Sequence, residues 1–243
     1  MLELAKATWP EAEKAFKEKK LVIIPLGAVE EHGYHLPLAT DTILAEFIGR
    51  AVAERLDAIL MPPVDYGYVL LARNFPGSIS LKESTLKAFF SDICRELYRQ
   101  GARRVAVINQ HLPNAPILRT LSQQLWDEIG LRLLCITLPG ITEIAKEVCE
   151  SKQWHPAIIH SEEIETSLML AVEPKLVRLE KAVKEYPPVP KSLDSLPIPW
   201  KEFSESGAFG DPTAATNEKG QKILKRLIDN IIEIIISSEK EAP

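Results

Sequence analysis

Short apolar runs alternate with longer amphipathic stretches along the first half of the chain. Each run is continuous and is bounded by polar or turn-forming residues, which is typical of strands buried on both faces of a sheet. The runs lie at residues 21–26, 58–61, 105–108 and 131–136. Strands separated by helix-length segments predict an α/β fold with a mainly parallel sheet.

The intervening stretches carry apolar residues at helical spacing. Residues 80–100 form the longest of them, and Gly101 follows in the usual C-cap position. Asp41, with Thr42, predicts the N-cap of an earlier helix. Further helices are expected at residues 115–127, 160–172 (in part) and 218–238. Helices between all the strands predict that both faces of the sheet are covered.

The length of 243 residues suits one sizeable α/β domain, which we expect to span residues 1–243. Residues 186–199 contain five prolines and few strong apolar positions. They predict an ordered surface loop or arm, a kind of segment that often shapes an active site or an oligomer contact.

Charge and composition exclude several classes of protein. The net charge is -5, and no run is rich in Lys or Arg, so we expect no nucleic-acid partner. The most apolar stretch, residues 227–236, is interrupted by Asp229 and Glu233, so we expect no membrane span. The first residues lack a signal-peptide h-region, and the three cysteines have no paired spacing. A cytoplasmic location is the resulting expectation.

Polar residues follow two of the predicted strands at their carboxyl ends, which is where ligands bind in open α/β sheets. Glu30 and His32 are two apart after one strand, and an extended backbone points both side chains the same way. His111 follows a second strand, while Asp41 and Glu165 can return to the same edge. Two histidines and three carboxylates suit zinc, manganese or iron(II), with one carboxylate shared between two ions.

Each of these spacings also has a structural interpretation. A His or Glu after a strand is commonly solvated or hydrogen-bonded. The presence of Asp41 is equally well explained by a structural role as a helix N-cap. Glu162, Glu163 and Glu165 can be a charged face in the first turn of a helix, where the helix dipole favours them. Spacing alone leaves both interpretations open.

Five ordered blocks of sequence resemble the creatininase (creatinine amidohydrolase) family. The opening block reads Leu-Gly-Ala-Val-Glu-Glu-His-Gly-Tyr-His-Leu-Pro-Leu from Leu26 and is followed by Asp41. The second is Phe-Pro-Gly-Ser-Ile-Ser-Leu from Phe75, and the third is Asn-Gln-His from Asn109. The fourth is Glu-Ile-Glu-Thr-Ser-Leu-Met-Leu from Glu163, and a weaker fifth spans residues 207–220. Their common order makes the resemblance more specific than any single block.

The resemblance implies a three-layer α/β/α fold and hydrolysis of a non-peptide C–N bond, by metal-activated water, at a centre of one or two divalent metals. The family's metal ligands correspond to Glu30, His32, Asp41, His111 and Glu165, with Asp41 as the bridge. His160 corresponds to a histidine near the substrate, and we expect His160 or Glu163 to carry a proton. Arg73 and Ser78 are the expected substrate contacts.

Two departures from the family pattern change the expected substrate. Pro113 stands where creatininase has a metal-binding glutamate, and proline has no side-chain ligand atom. We therefore expect an amidohydrolase that does not act on creatinine, with Glu165 serving the second metal. Arg73 stands where relatives often carry a histidine, and it could hold a carboxylate or phosphate of the substrate.

Other functions remain open from the sequence. A formamide deformylase acting on a nucleotide-derived pyrimidine is the main alternative, and a peptide C-terminus is another substrate type within the family. A member that kept the fold and lost the chemistry is the third. The expected partner is a small-molecule substrate, and the resemblance implies a homo-oligomer, with a hexamer as the assembly common among relatives.

Overall fold

The computed structural model describes residues 1–19 and 21–240. Position 20 and positions 241–243 of the expected domain 1–243 lie outside the described residues. Five strands form one sheet in the order β1-β3-β2-β4-β5, and every neighbouring pair among them is parallel. The strands are β1 (Leu2–Glu3), β2 (Leu21–Leu26), β3 (Ile59–Leu60), β4 (Arg104–Asn109) and β5 (Arg132–Thr137).

Seven α-helices connect or flank these strands within the described residues. They are α1 (Trp9–Glu18), α2 (Thr40–Arg55), α3 (Glu83–Gln100), α4 (Asn114–Ile129), α5 (Ile141–Val148), α6 (Glu163–Val172) and α7 (Asn217–Ser237). Gly101 caps α3 in the left-handed conformation, as predicted. Among the described helices, no segment is long and apolar enough to cross a bilayer.

Alternating side chains of the central strands build two cores, one on each face of the sheet. Ile23 and Ile108 pack with α2, α5, α6 and α7. Val22 and Val107 point the other way and pack with α1, α3 and α4. Because both faces of the sheet bury apolar side chains against helices, the predicted three-layer α/β/α architecture is confirmed.

Several details differ from the sequence expectations. Asp41 is not the N-cap of α2: Ala39 holds that position, and Asp41 lies inside the first turn. Strands β1 and β3 are only two residues long, and β1, α1 and α5 were not expected. Residues 186–199 form no helix or strand, and Trp200, which follows them, packs in a third apolar cluster.

The two central strands bring their following loops together. Leu26 at the end of β2 pairs with Asn109 at the end of β4. Gly27 then packs against α2 so closely that an added Cβ would lie 2.3 Å from the backbone nitrogen of Thr42. The absence of a side chain at position 27 therefore sets the first turn of α2, with Asp41, beside both strand ends.

Candidate metal centre

Four segments of the chain meet at the carboxyl edge of the sheet. Glu30 and His32 lie in the loop after β2, and Asp41 lies in the first turn of α2. His111 follows β4, and Glu165 lies in the first turn of α6. All five side chains are buried. Buried carboxylates need compensating positive charge, because an unpaired buried ion is strongly unfavourable.

Asp41 occupies the middle of this cluster and turns one oxygen toward each of two imidazoles. Its Oδ1 lies 3.2 Å from His32 Nε2, and its Oδ2 lies 3.0 Å from His111 Nδ1. Glu165 Oε2 is 3.7 Å from the same nitrogen of His32, and Glu30 Oε2 is 3.1 Å from the same nitrogen of His111. The arrangement is two half-sites that share Asp41.

Backbone carbonyls fix the orientation of both imidazoles. His32 Nδ1 donates to the carbonyl oxygen of Glu30 at 3.1 Å, and His111 Nε2 donates to that of Tyr68 at 3.0 Å. Each ring therefore turns its other nitrogen toward the carboxylates, as metal-binding histidines commonly do. His32 Nε2 is buried, and its contact with Asp41 Oδ1 at 3.2 Å does not have the geometry of a hydrogen bond.

The carboxylates create a strongly negative environment. Burial disfavours a charged His32, but Asp41, Glu165 and Glu30 outweigh burial and raise its pKa to about 10. Burial is likewise outweighed at His111, whose pKa is raised well above its usual value by Glu30 and Asp41. Desolvation would raise the pKa of Asp41, yet the two imidazoles hold it well below its usual range. Such a cluster favours positive charge, whether protons or a divalent cation.

Three overlapping groups of side chains could each hold an ion, because the ligand atoms within each group lie within 4.8 Å of one another. They are Glu30–Asp41–His111, His32–Asp41–Glu165 and Glu30–His32–His160. Mixed nitrogen and oxygen donors of this kind suit zinc, manganese or iron(II). The donor set fits a metal, and so does His32 Nε2, which faces two carboxylates without forming a hydrogen bond to either.

A strained turn orients Glu165. Ser161 adopts a positive φ of 53°, which is costly for a residue with a side chain, and its backbone N–H donates to Glu165 Oε2 at 2.6 Å. Glu162 then caps α6 by accepting from the backbone N–H groups of Ile164 and Glu165. Burial raises the pKa of Glu162 to about 8.

His160 is held at the edge of the centre by Glu31. Its Nε2 lies 3.1 Å from Glu31 Oε1, and its Nδ1 lies 4.0 Å from Glu30 Oε2. The Glu31 carboxylate occupies the space beside Gly207, where an added Cβ would lie 2.0 Å from Oε2. Ser78 Oγ accepts from the backbone N–H of Glu31 at 2.9 Å. Ser78 therefore contacts the site through Glu31.

Two asparagines, Asn109 and Asn114, hold the loop of His111 in place through hydrogen bonds. Asn114 Nδ2 donates to Asn109 Oδ1 and to the carbonyl oxygen of Gly27, and Asn114 Oδ1 accepts from the backbone N–H of Tyr68. The Tyr68 carbonyl in turn accepts from His111. Asn109 Nδ2 donates to the backbone carbonyl of His111 at 2.7 Å. These bonds join the loops after β2, β3 and β4.

A cavity of about 290 Å³ opens over the cluster. Glu30, Asp41, His111 and Glu165 contribute to its lining, together with His160. The rest of the lining comes from Gln110 and from apolar residues: Leu71, Leu112, Pro113, Ala157, Ile158, Ile159 and Trp200. A small molecule in this cavity would contact the carboxylates and imidazoles directly.

Three expected site residues are not among the described residues that line the cavity, namely Glu163, Arg73 and Ser78. Glu163 is turned away from the cluster, where Lys219 Nζ lies 2.6 Å from its carboxylate and the backbone N–H of Ser151 donates to it at 2.7 Å. These contacts satisfy the Glu163 carboxylate as a structural ion pair. Arg73 is exposed and is not among the described residues that line the cavity.

Three residues near the centre were not expected from the sequence. Glu31 follows Glu30 in the first family block, but its partner His160 is 129 positions away. Trp200 packs on the His160 ring with centroids 4.6 Å apart. Leu71 lines the same cavity, and its carbonyl accepts from the backbone N–H of Trp200. Only the adjacency of Glu31 to Glu30 was a usable signal in the sequence.

Comparisons with known proteins agree with the resemblance seen in the sequence. The family model for Creatininase (creatinine amidohydrolase) matches residues 5–235. A creatinine amidohydrolase of Pseudomonas putida is 31% identical over 243 residues, covering 94% of each chain. A mycofactocin precursor peptide peptidase of Mycobacterium tuberculosis is 30% identical, covering 87% of this chain and 82% of its own.

A solved structure of a mutant creatininase of the Zn-Zn type superposes with a TM-score of 0.88 at 28% identity, covering 97% of each chain. The family model spans nearly the whole chain, and the superposition covers nearly the whole of both chains. The sequence resemblance is thereby confirmed. This protein belongs to the creatininase family and is a hydrolase of that family.

Proposed function

We propose that this protein hydrolyses a non-peptide amide C–N bond in a small molecule, with one or two divalent metal ions at the Asp41 centre. The observation that carries the proposal is the position of Asp41, whose two oxygens face His32 and His111 at 3.2 and 3.0 Å. A carboxylate between two imidazoles is the arrangement expected of a bridging ligand. Zinc, manganese and iron(II) are the candidate ions.

The proposed ligands are Glu30 and His111 in one half-site and His32 and Glu165 in the other, with Asp41 common to both. A bound divalent metal lowers the pKa of water from about 15.7 toward 7 and polarises a carbonyl. During hydrolysis the water oxygen bonds to the carbonyl carbon, the C–N bond breaks, and the leaving nitrogen takes up a proton.

His160 is the proposed proton carrier for the leaving nitrogen. It lines the cavity, and Glu31 holds its Nε2 so that Nδ1 faces Glu30. A proton delivered from this position prevents the tetrahedral intermediate from reverting to substrate. We assign Glu163 no part in the reaction, because its carboxylate is occupied by Lys219 and two backbone N–H groups.

The same observations give less support to the other functions considered, namely a non-catalytic role and a nucleotide formamide deformylase. A non-catalytic role gives no reason for five buried candidate ligands gathered around Asp41. A nucleotide-derived formamide carries phosphate, and none of the described residues that line the cavity is Lys or Arg. The peptidase relative makes a peptide bond the competing substrate, and the experiment must include it.

The test combines metal analysis with hydrolysis assays on the same preparations. We expect the chelator-treated protein to be inactive and to regain activity with zinc, manganese or iron(II). Asp41→Asn should lose metal and lower kcat/KM at least about a thousandfold, as expected for a shared ligand. His155→Ala is the matched control, since His155 faces exposed Asp194 and not the centre.

Substrates in the assay are creatinine, small neutral and charged amides, a formamide nucleotide and short peptides. Activity that survives complete removal of metal, or that is equal in wild type and Asp41→Asn, contradicts the proposal. Hydrolysis of peptides alone would leave the metal centre in place and overturn the non-peptide assignment.

We also propose that the chain folds as one domain and forms a homo-oligomer, with a hexamer as the expected assembly. Exposed large apolar residues such as Trp9, Phe47 and Phe89 support an interface. Three free cysteines, Cys94, Cys135 and Cys149, support a cytoplasmic location. Light scattering on the purified protein tests the assembly, and a monomer would contradict it.

A further inference from the structure

Gln110 contributes an uncharged amide side chain to the lining of the cavity over the metal centre. The other polar side chains of the described lining are the candidate metal ligands, His160 and Trp200. The indole nitrogen of Trp200 is sealed from solvent within the wall, and the ligands and His160 already serve the reaction. Gln110 is therefore the polar group of the described lining that the proposed reaction does not use.

The orientation of the Gln110 carboxamide follows from its contact with the preceding residue. Gln110 Nε2 donates to the backbone carbonyl oxygen of Asn109 at 3.3 Å. Because a carbonyl oxygen can only accept, the NH₂ group faces Asn109 and Oε1 faces away from it. None of the described groups donates to Gln110 Oε1, and the residue lines the cavity, so this oxygen is an acceptor open to a ligand.

The backbone around Gln110 is fixed by hydrogen bonds on both sides. Its own N–H donates to the carbonyl oxygen of Leu26 at 3.1 Å, and the N–H of His111 donates to Asn109 Oδ1 at 3.3 Å. Gln110 is only 4% exposed, so binding costs little further ordering of its side chain. A ligand that fills the cavity removes the water from Oε1 and must supply a donor in its place.

The adjacent metal ligand sets a complementary requirement. His111 directly follows Gln110, so their Cα atoms are about 3.8 Å apart. A divalent ion held by His111, Glu30 and Asp41 uses the charge of these carboxylates and attracts a carbonyl oxygen of the substrate. Gln110 Oε1 instead attracts an N–H group. A carbonyl oxygen and a neighbouring N–H are the pair of groups that a primary or secondary amide, a lactam or a ureide presents.

We infer that Gln110 determines substrate specificity by accepting a hydrogen bond from an N–H group next to the carbonyl that the metal binds. The substrate class is therefore amides, lactams or ureides with a free N–H, and amides whose nitrogen is fully substituted are poor substrates. This inference rests on the proposed amide hydrolysis and narrows its substrate class.

The test compares three five-membered rings of nearly equal shape, each with one carbonyl. 2-Imidazolidinone has two N–H groups beside the carbonyl, 2-pyrrolidinone has one, and cyclopentanone has none. Dissociation constants for the zinc-loaded protein are measured by ligand-observed NMR titration. We expect both N–H compounds to bind at least about tenfold more tightly than cyclopentanone, because the ketone leaves Gln110 Oε1 without a donor.

A variant separates the effect of Gln110 from the stronger metal binding of an amide carbonyl. Gln110→Met keeps the side-chain length and removes the acceptor, so the preference for 2-pyrrolidinone over cyclopentanone should fall at least about fivefold with metal content near wild type. For amides that are hydrolysed, KM should rise more than kcat falls. Gln123→Met is the matched control, since Gln123 is exposed on α4 and donates to Asp127.

Thermal unfolding identifies a variant that fails to fold, and Gln110→Leu then serves as the second variant. Loss of metal in proportion to ligand binding would mean that Gln110 acts through His111 and would overturn the inference. Equal binding of the three rings to the wild type, failure of all three to bind, or an unchanged ring preference in folded, metal-loaded Gln110→Met would also overturn it.

The outcomes separate the inference from the proposed function. If no amide is hydrolysed but the ring preference is present in the wild type and falls in Gln110→Met, amide hydrolysis is wrong and recognition of the N–H by Gln110 stands. If amides are hydrolysed while the ring preference is the same in both proteins, amide hydrolysis stands and the role of Gln110 is wrong.

Discussion

Gly27 lies between the end of β2 and the start of α2, and replacing it with alanine should pull the two half-sites apart. An added Cβ would lie 2.3 Å from Thr42 N and 2.5 Å from Thr42 Cα, and both atoms are backbone, so no side chain can rotate away. Carbon atoms pack at about 3.5–4.0 Å, so α2 must shift by about 1 Å. Asp41, one residue earlier, moves with it.

A shift of about 1 Å is large compared with the tolerance of the two contacts that Asp41 makes. Its oxygens lie 3.2 and 3.0 Å from the two imidazoles, and both distances cannot survive a common displacement of about 1 Å. We expect Gly27→Ala to lose at least one metal per chain and to lower kcat/KM about a hundredfold. The overpacking itself should cost about 1–3 kcal/mol of unfolding free energy.

The assay measures metal content, kcat/KM and denaturant unfolding on the same preparations. Gly130→Ala provides the control, because Gly130 has a positive φ of 69° and no atom within 4 Å of an added Cβ. Alanine there should cost about 1–2 kcal/mol through backbone strain while leaving metal and activity intact. Wild-type metal content and kcat in folded Gly27→Ala would refute the reasoning.

Three further predictions concern the groups around the centre. Gly207→Ala displaces the Glu31 carboxylate, so kcat should fall about tenfold or more while metal content stays near wild type; loss of metal in proportion to activity would contradict it. Asn114→Ala removes three hydrogen bonds and should cost about 2–4 kcal/mol in urea unfolding; a cost below about 1 kcal/mol would be inconsistent. Lys219→Met leaves the Glu163 carboxylate buried without its cation and should lower the unfolding free energy by about 3 kcal/mol, with kcat nearly unchanged in the folded enzyme. A large loss of kcat would indicate that Glu163 takes part in the reaction.

The layered fold was predictable because its signals are local. Apolar runs and helical spacing depend only on neighbouring residues, and the central strands and long helices lie within a few residues of their expected bounds. Strand β1 is only two residues long, too short for a periodicity to develop, and α5 is only eight residues long. These elements depend on packing against the rest of the molecule.

The centre was predictable in part. Glu30 and His32 follow a strand at a spacing that sets both on one side, and His111 follows the neighbouring strand. The role of Glu31 was not predictable, because it depends on the space that Gly207 leaves in a loop far along the chain. The direction of Glu163 depends on Lys219, which belongs to a different helix. Side-chain direction in a first helical turn is decided by such tertiary partners.

The shared Asp41 also affects the stability of the folded protein. Its neighbours come from the loop after β2, the loop after β4 and the start of α6, so a bound ion would cross-link segments more than a hundred residues apart. Unfolded chain cannot present these ligands together, and occupancy at about a thousand times Kd would therefore add about 4 kcal/mol to the unfolding free energy. Metal supply would then set the lifetime of the protein against proteolysis as well as its activity.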